Sequence, residues 1–306
     1  MNRPDLKGLI AATITPMRSD YSVDERALRD YLRWIADQGV TGLAINVDTG
    51  EGPHLYPEER LRILEVAAEE VGDKVTIVAG LSASFTDQAT KVATDTARAG
   101  AHALLVFPIS AYQGQPLNPE IPVRYHQAVA EASGLPLIAF QLQPALGGVN
   151  FSRESLERLL AVDGVVAIKE ASFDAKRFVE TTRIVQSLAN EVTMLNGNDN
   201  FLLEAYMLGA EGSLLGFGTL AAAQQVEMFD AVRDRDFERA FKLGPRLQAL
   251  CDVIFAPPVS DYRARLKQAL HRLEVIPETY VRPPLLPLSD EERQRVDFAL
   301  KDANIA

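Results

Sequence analysis

A single cysteine in 306 residues, Cys251, excludes an intrachain disulfide framework. It sits in the apolar stretch LQALCDVIF, where a free cysteine reads as a buried structural thiol rather than a reactive one. No apolar run approaches the roughly 18 residues of a membrane span. The opening MNRPDLKG lacks the apolar core of a secretory signal, so the cytoplasm is the expected compartment. Basic residues are outnumbered, 31 Lys and Arg against 42 Asp and Glu. A net charge of −11 argues against a nucleic-acid partner or an anionic membrane surface. Histidine is scarce as well: His54, His102, His126 and His271 are scattered, with no H-x-H or H-E-x-x-H spacing. Metal chemistry is thereby disfavoured, although carboxylates alone can hold Mg2+. No cofactor is expected.

What the chain does have is a rhythm. Short apolar runs alternate with longer amphipathic ones: Leu9–Thr15, Gly42–Asp48, Val75–Leu81, Ala103–Pro108, Leu135–Leu142, Val165–Ser172, Val192–Asp199 and Gly212–Thr219. Each is followed by a helical pattern, and glycine or proline marks several of the junctions. The runs are nearly continuous in apolar character, as strands covered on both faces must be. Eight such units in about 225 residues fit a (β/α)8 TIM barrel, an α/β fold. A doubly wound sheet is the alternative, but it usually has fewer strands, and the dinucleotide signature G-x-G-x-x-G is absent after the first strand. From about Asp236 only amphipathic helical runs remain, divided by APPVS and VRPPLLPLS. The expected division is a barrel over residues 1–233 and a C-terminal helical extension over 234–306.

In this fold the active site lies at the C-terminal ends of the strands. The sixth run closes in Ala167-Ile168-Lys169-Glu170, which places a lysine where the barrel opens. Burial makes a cationic amine costly and lowers its pKa, and a neutral amine can attack a carbonyl to form an imine. The bland reading is a lysine that reaches solvent or pairs with Glu170. The second run closes in Asp48-Thr49-Gly50-Glu51-Gly52, which can present hydroxyl and backbone donors to a carboxylate or can simply be a turn. The fifth closes in Gln141-Leu142-Gln143-Pro144, whose amides hydrogen-bond but are not acid–base groups. After the seventh, Asp199 and Asn200 read as helix caps. After the eighth, Gly216–Thr219 occupies the place where many barrels bind phosphate, although a plain glycine turn before a helix is the commoner explanation.

Taken together, A-x-I-T-P (Ala12–Pro16), D-T-G-E-G (Asp48–Gly52), A-I-K-E-A (Ala167–Ala171) and V-R-P-P-L-L-P-L (Val281–Leu288) occur in an order that resembles the dihydrodipicolinate synthase / N-acetylneuraminate lyase family. These are class I, pyruvate-handling enzymes, and the likeness spans almost the whole chain. The resemblance implies an imine between Lys169 and a 2-oxo acid, with substrate contacts from Asp48, Thr49, Gly50 and Leu214. It also implies a homo-oligomer, a tetramer or a dimer. Asp48 departs from the family, which carries a hydroxyl residue there. Gln141 is matched to the strand-five tyrosine that relays protons, and is carried as a catalytic residue for that reason. Leu146 stands near an expected arginine, and Ile109-Ser110 replaces an aromatic pair, with Tyr112 close by. These departures point to a lyase of the aldolase or dehydratase type other than an authentic dihydrodipicolinate synthase. A silent family member that only binds a small carboxylic acid is the alternative, and a phosphosugar-binding barrel is a third reading.

Overall fold

The computed structural model describes residues 4–114 and 116–305, so the first three residues of the MNRPDLKG opening and the last of the expected C-terminal segment lie outside it. The eight expected strands are present: β1 Gly8–Ala12, β2 Gly42–Ile45, β3 Thr76–Leu81, β4 Ala103–Val106, β5 Leu137–Leu142, β6 Val165–Ala171, β7 Thr193–Asn196 and β8 Gly212–Leu215. All pair in parallel, in chain order, and β8 closes onto β1. A helix follows each strand: α1 Glu25–Ala36, α2 Pro57–Val71, α3 Thr86–Arg98, α4 Glu120–Ser133, α5 Arg153–Leu160, α6 Ala175–Ser187, α7 Leu202–Met207 and α8 Ala222–Arg233. The architecture is a (β/α)8 barrel. Three further helices, α9 Phe237–Ile254, α10 Tyr262–Arg272 and α11 Asp290–Asp302, form the C-terminal helical part. No helix among the described residues is long and apolar enough to cross a membrane.

Strand alternation divides the interior into two packed regions. Ile10, Ala44, Val78, Leu105, Ile138, Phe140, Ala167, Leu195 and Leu214 fill the barrel, while Leu43, Ile77, Leu104 and Ile168 face the helices. Most of the expected strands overrun the observed ones because their last residues leave the ladder. Asp48–Gly50 and Phe217–Thr219 are short 3-10 turns rather than strand ends. These turns supply much of the mouth of the barrel.

One irregularity matters more than the rest. Leu137 pairs with Val165, but Ile138 pairs with Ala167, so Val166 is an extra residue in β6. A bulge of this kind changes which residues stand opposite one another downstream. Lys169 therefore pairs with Phe140, and Gln141 pairs with Glu170.

Candidate active site

Lys169 projects into the barrel mouth from the fifth position of β6. Its Nζ lies 4.4 Å from the centre of the Phe140 ring. Among the described residues its Nζ has no hydrogen bond and no ion pair, so the expected alternative of pairing with Glu170 does not occur. Burial depresses its pKa to about 8, against the pull of Asp199 and then of Asp48. At pH 7 about a tenth of such an amine is neutral, against less than one part in a thousand for an ordinary lysine. The stem fits only because its neighbour is glycine: a Cβ at Gly197 would come within 2.6 Å of Lys169 Cε.

Gln141 does not join this group, and its expected catalytic place is corrected. Its amide donates to Glu170 Oε1 at 3.2 Å and to Thr181 Oγ1 at 3.0 Å, and it accepts from the Phe151 backbone at 3.1 Å. Thr181 belongs to α6, so Gln141 is locked between the barrel wall and the helices. Alternation along β5 is the reason: Ile138 and Phe140 fill the barrel, so Gln141 faces the helices, and the bulge at Val166 brings Lys169 opposite Phe140. With regular pairing Gln141 would stand opposite Lys169; with one residue inserted, Phe140 stands there instead. The ring offers a π-face to the amine and no hydroxyl. Tyr112 is no substitute in this arrangement, since its ring packs on Tyr125 and Phe151 in the outer core.

Glu170, next to the lysine, faces the helix layer. It accepts from Gln141, from the Ser172 backbone and, at 2.8 Å, from Asn198 Nδ2. Burial raises its carboxyl above the usual range, and those three donors pull the other way. This net of bonds ties β5, β6 and the turn after β7 together directly behind Lys169.

Across the mouth, Thr49 is buried at 3% exposure in the turn after β2. Glycine is required three residues on, because a Cβ on Gly52 would lie 2.1 Å from the Asn46 carbonyl oxygen. Asp48 is neutralised by a residue far away in the chain: Arg263 Nη2 lies 2.5 Å from its Oδ2, and Arg263 Nε donates to its carbonyl at 2.7 Å. The Tyr262 hydroxyl donates to Asp48 Oδ2 at 2.9 Å and reaches Thr49 Oγ1 at 3.5 Å. The carboxylate at this position is thus ion-paired, which offsets the repulsion it would exert on an anion. Gly50 is buried in the same turn, and Leu214 is buried inside the barrel on β8. Leu146 is 49% exposed in a turn after β5 and brings no cation.

Three parts of the site escaped the sequence reading. Tyr262 and Arg263, at the start of α10, make the C-terminal helices a wall of the mouth. Glu51, the next residue after Asp48–Gly50, is fully buried and ion-paired at 2.5 Å to the equally buried Lys267. It also accepts from the Arg282 backbone, and Arg282 in turn grips Glu59. That explains the presence of arginine in the V-R-P-P run. The third part is Asp199. It caps no helix: α7, Leu202–Met207, has Phe201 at its N-cap and no side-chain cap, and Asp199 Oδ1 instead accepts from the Phe217 backbone at 3.1 Å. Burial holds its carboxyl up at about 6, while the Phe217 amide and Lys169 draw it down. The same bond occupies one of the amides that a phosphate at Gly216–Thr219 would need. Cys251, buried as expected, donates to the Asp199 carbonyl, and burial pushes its thiol up. No cluster of three or more metal-ligating side chains occurs among the described residues.

The family model of the dihydrodipicolinate synthetase family matches residues 5–303. The chain belongs to that family. Within it, the chain is an enzyme of the class I, lysine-imine lyase and aldolase type. It is 30% identical over 300 residues to the 4-hydroxy-tetrahydrodipicolinate synthase of Methylobacterium radiotolerans, covering 98% of this chain and 96% of the relative. It is 29% identical over 301 residues to that of Bartonella bacilliformis, covering 98% and 99%. Among solved structures, the chloride-inhibited dihydrodipicolinate synthase of Acinetobacter baumannii, complexed with pyruvate, superposes with a TM-score of 0.86 at 28% identity, covering 99% of this chain and all of that one. The N-acetylneuraminate lyase of Fusobacterium nucleatum shares the fold, with a TM-score of 0.85 at 22% identity over 97% of this chain and 98% of its own.

Proposed function

We propose that this protein is a Schiff-base lyase that acts on a 2-oxo acid through Lys169, and that its reaction is aldol cleavage or dehydration rather than dihydrodipicolinate synthesis. The observation that carries the reading is the unpaired amine at the mouth, lowered to about 8 by burial. Such an amine is a nucleophile at neutral pH. Loss of water from the first adduct leaves a protonated imine, which draws electrons from the bond next to the former carbonyl carbon. Thr49, backed by Tyr262, and the Gly50 turn are suited to hold the substrate carboxylate, while Leu214 lines the wall. Phe140, which has no hydroxyl, and Leu146, which has no charge, argue against the condensation named for the relatives, because neither supplies the proton relay or the anion clamp that the resemblance leads one to expect.

A panel of 2-oxo and 4-hydroxy-2-oxo acids tests this. Borohydride added during turnover should trap a mass increment with members of the panel, and cleavage or dehydration products should accumulate without the trap. Efficient condensation of pyruvate with aspartate semialdehyde would overturn the choice of reaction. A homo-oligomer is part of the same proposal, and a monomer by sedimentation at micromolar concentration would refute it.

A further inference from the structure

An imine on Lys169 needs a group that can take a proton from the carbon beside it and give it back. Phe140 cannot, and Gln141 is turned away. Asp48 and Asp199 are the acidic groups that act on the amine. Asp48 is engaged through one oxygen by Arg263 and Tyr262. Among the described residues the Asp199 side chain makes no ion pair, and only its Oδ1 is bonded, to a backbone amide. It is 7% exposed.

Its placement is fixed from several sides. Leu195 of β7 pairs with Lys169, and Gly197 lies against the lysine stem. Asn198 is tied to the backbone and carboxylate of Glu170, the lysine's neighbour. The Asp199 carbonyl is held by Gln248 and Cys251 of α9. A carboxylate on a rigid turn beside the lysine, with one oxygen uncommitted, is what a general base at this site requires.

We propose that Asp199 takes and returns the proton on the carbon adjacent to the imine carbon of a 2-oxo acid bound to Lys169, doing the work of a hydroxyl that the Phe140 ring lacks. This rests on the imine reading of Lys169. In the forward step, the Asp199 carboxylate removes a proton from that carbon. The C–H electron pair becomes a C=C bond, and the iminium π pair returns to nitrogen. The products are a neutral enamine and a neutral Asp199 carboxyl. The reverse step restores the iminium and the carboxylate. Burial supports the role, because a carboxyl raised to about 6 remains ionised at neutral pH yet is a stronger base than an exposed one.

The test uses pyruvate as probe, with two readouts on the same enzyme: borohydride trapping followed by mass spectrometry, and exchange of the methyl protons in D2O followed by NMR. The wild type should show both. Asp199→Asn keeps an oxygen for the Phe217 amide, so it should still trap the adduct while exchange slows by about 100-fold or more. Exchange close to the wild-type rate at equal adduct would overturn the proposal, as would a folded variant that loses the adduct itself. If the asparagine variant does not fold, Asp199→Ala with added formate takes its place. Exchange that grows with formate supports the assignment, and none at any concentration overturns it. A wild type that traps nothing on Lys169 instead defeats the imine reading on which the proposal stands.

Discussion

Glu51→Gln separates the mouth loop from the C-terminal helices at one atom. Glu51 and Lys267 are both fully buried and 2.5 Å apart. The other contact of Lys267 Nζ is the Tyr280 carbonyl at 2.6 Å, and the other Glu51 oxygen accepts from the Arg282 backbone at 2.8 Å. An amide keeps the shape and loses the charge, so Lys267 is left as a buried cation facing only neutral partners. Breaking such a pair from one side costs about 3–5 kcal/mol. Unfolding entropy near 2.1 cal/mol/K per residue gives about 0.64 kcal/mol/K for this chain, so Tm should fall by about 5–8 °C. The double variant Glu51→Gln with Lys267→Met removes the stranded cation and should recover more than half of the loss. Because Glu51 directly follows Asp48–Gly50, kcat/KM should also fall by roughly 10- to 100-fold in the single variant, as expected for a displaced binding loop. Thermal unfolding by circular dichroism and steady-state kinetics read the two effects. A single variant within about 1 °C of wild type, or a double variant less stable than the single, would refute the reasoning.

Gly197→Ala drives a methyl group to within 2.6 Å of Lys169 Cε and 2.9 Å of Ala171 Cβ. Overpacking of this kind costs about 1–3 kcal/mol, and the trapping rate should drop by roughly 100-fold, measured by adduct mass against quench time. His126 is buried, with Nδ1 on the Pro122 carbonyl, and burial holds its pKa down at about 4. The unfolded chain then binds more protons between pH 6.5 and 4, so stability falls as pH falls through that window, by about 3 kcal/mol. Urea titrations at pH 7 and pH 4.5 check it, and His126→Gln should flatten that part of the difference. The amine of Lys169 should react faster with pyruvate as pH rises, levelling off above about 8; a trapping rate flat from pH 6 to 9 would contradict the assigned burial.

The barrel was legible because each strand is a short apolar run bounded by turn residues, and Lys169 stood out as the cation that ends one. The position of Gln141 was not legible. Alternation along β5 turns it to the helices, and one extra residue in β6, Val166, sets Phe140 rather than Gln141 beside Lys169; a bulge leaves no mark in a run where every neighbour is apolar. Asp199 carried a genuine cap-like signal, since Asp and Asn before an apolar run usually cap; here the amide of Phe217, 18 residues on, claims the carboxylate first. Tyr262, Arg263 and Lys267 lie more than 200 residues from the loop they hold, and no local pattern announces a contact at that distance. Asp48, an unexpected carboxylate in the sequence, is ion-paired with Arg263, a residue that no local pattern connects to it.

Peptide mapping after borohydride reduction in the presence of pyruvate addresses the nucleophile itself. A reduced three-carbon adduct should appear on the peptide containing Lys169 in the wild type and be absent from Lys169→Ala, with both proteins folded. An adduct on another lysine, or turnover undiminished in Lys169→Ala, would contradict the assignment of this residue.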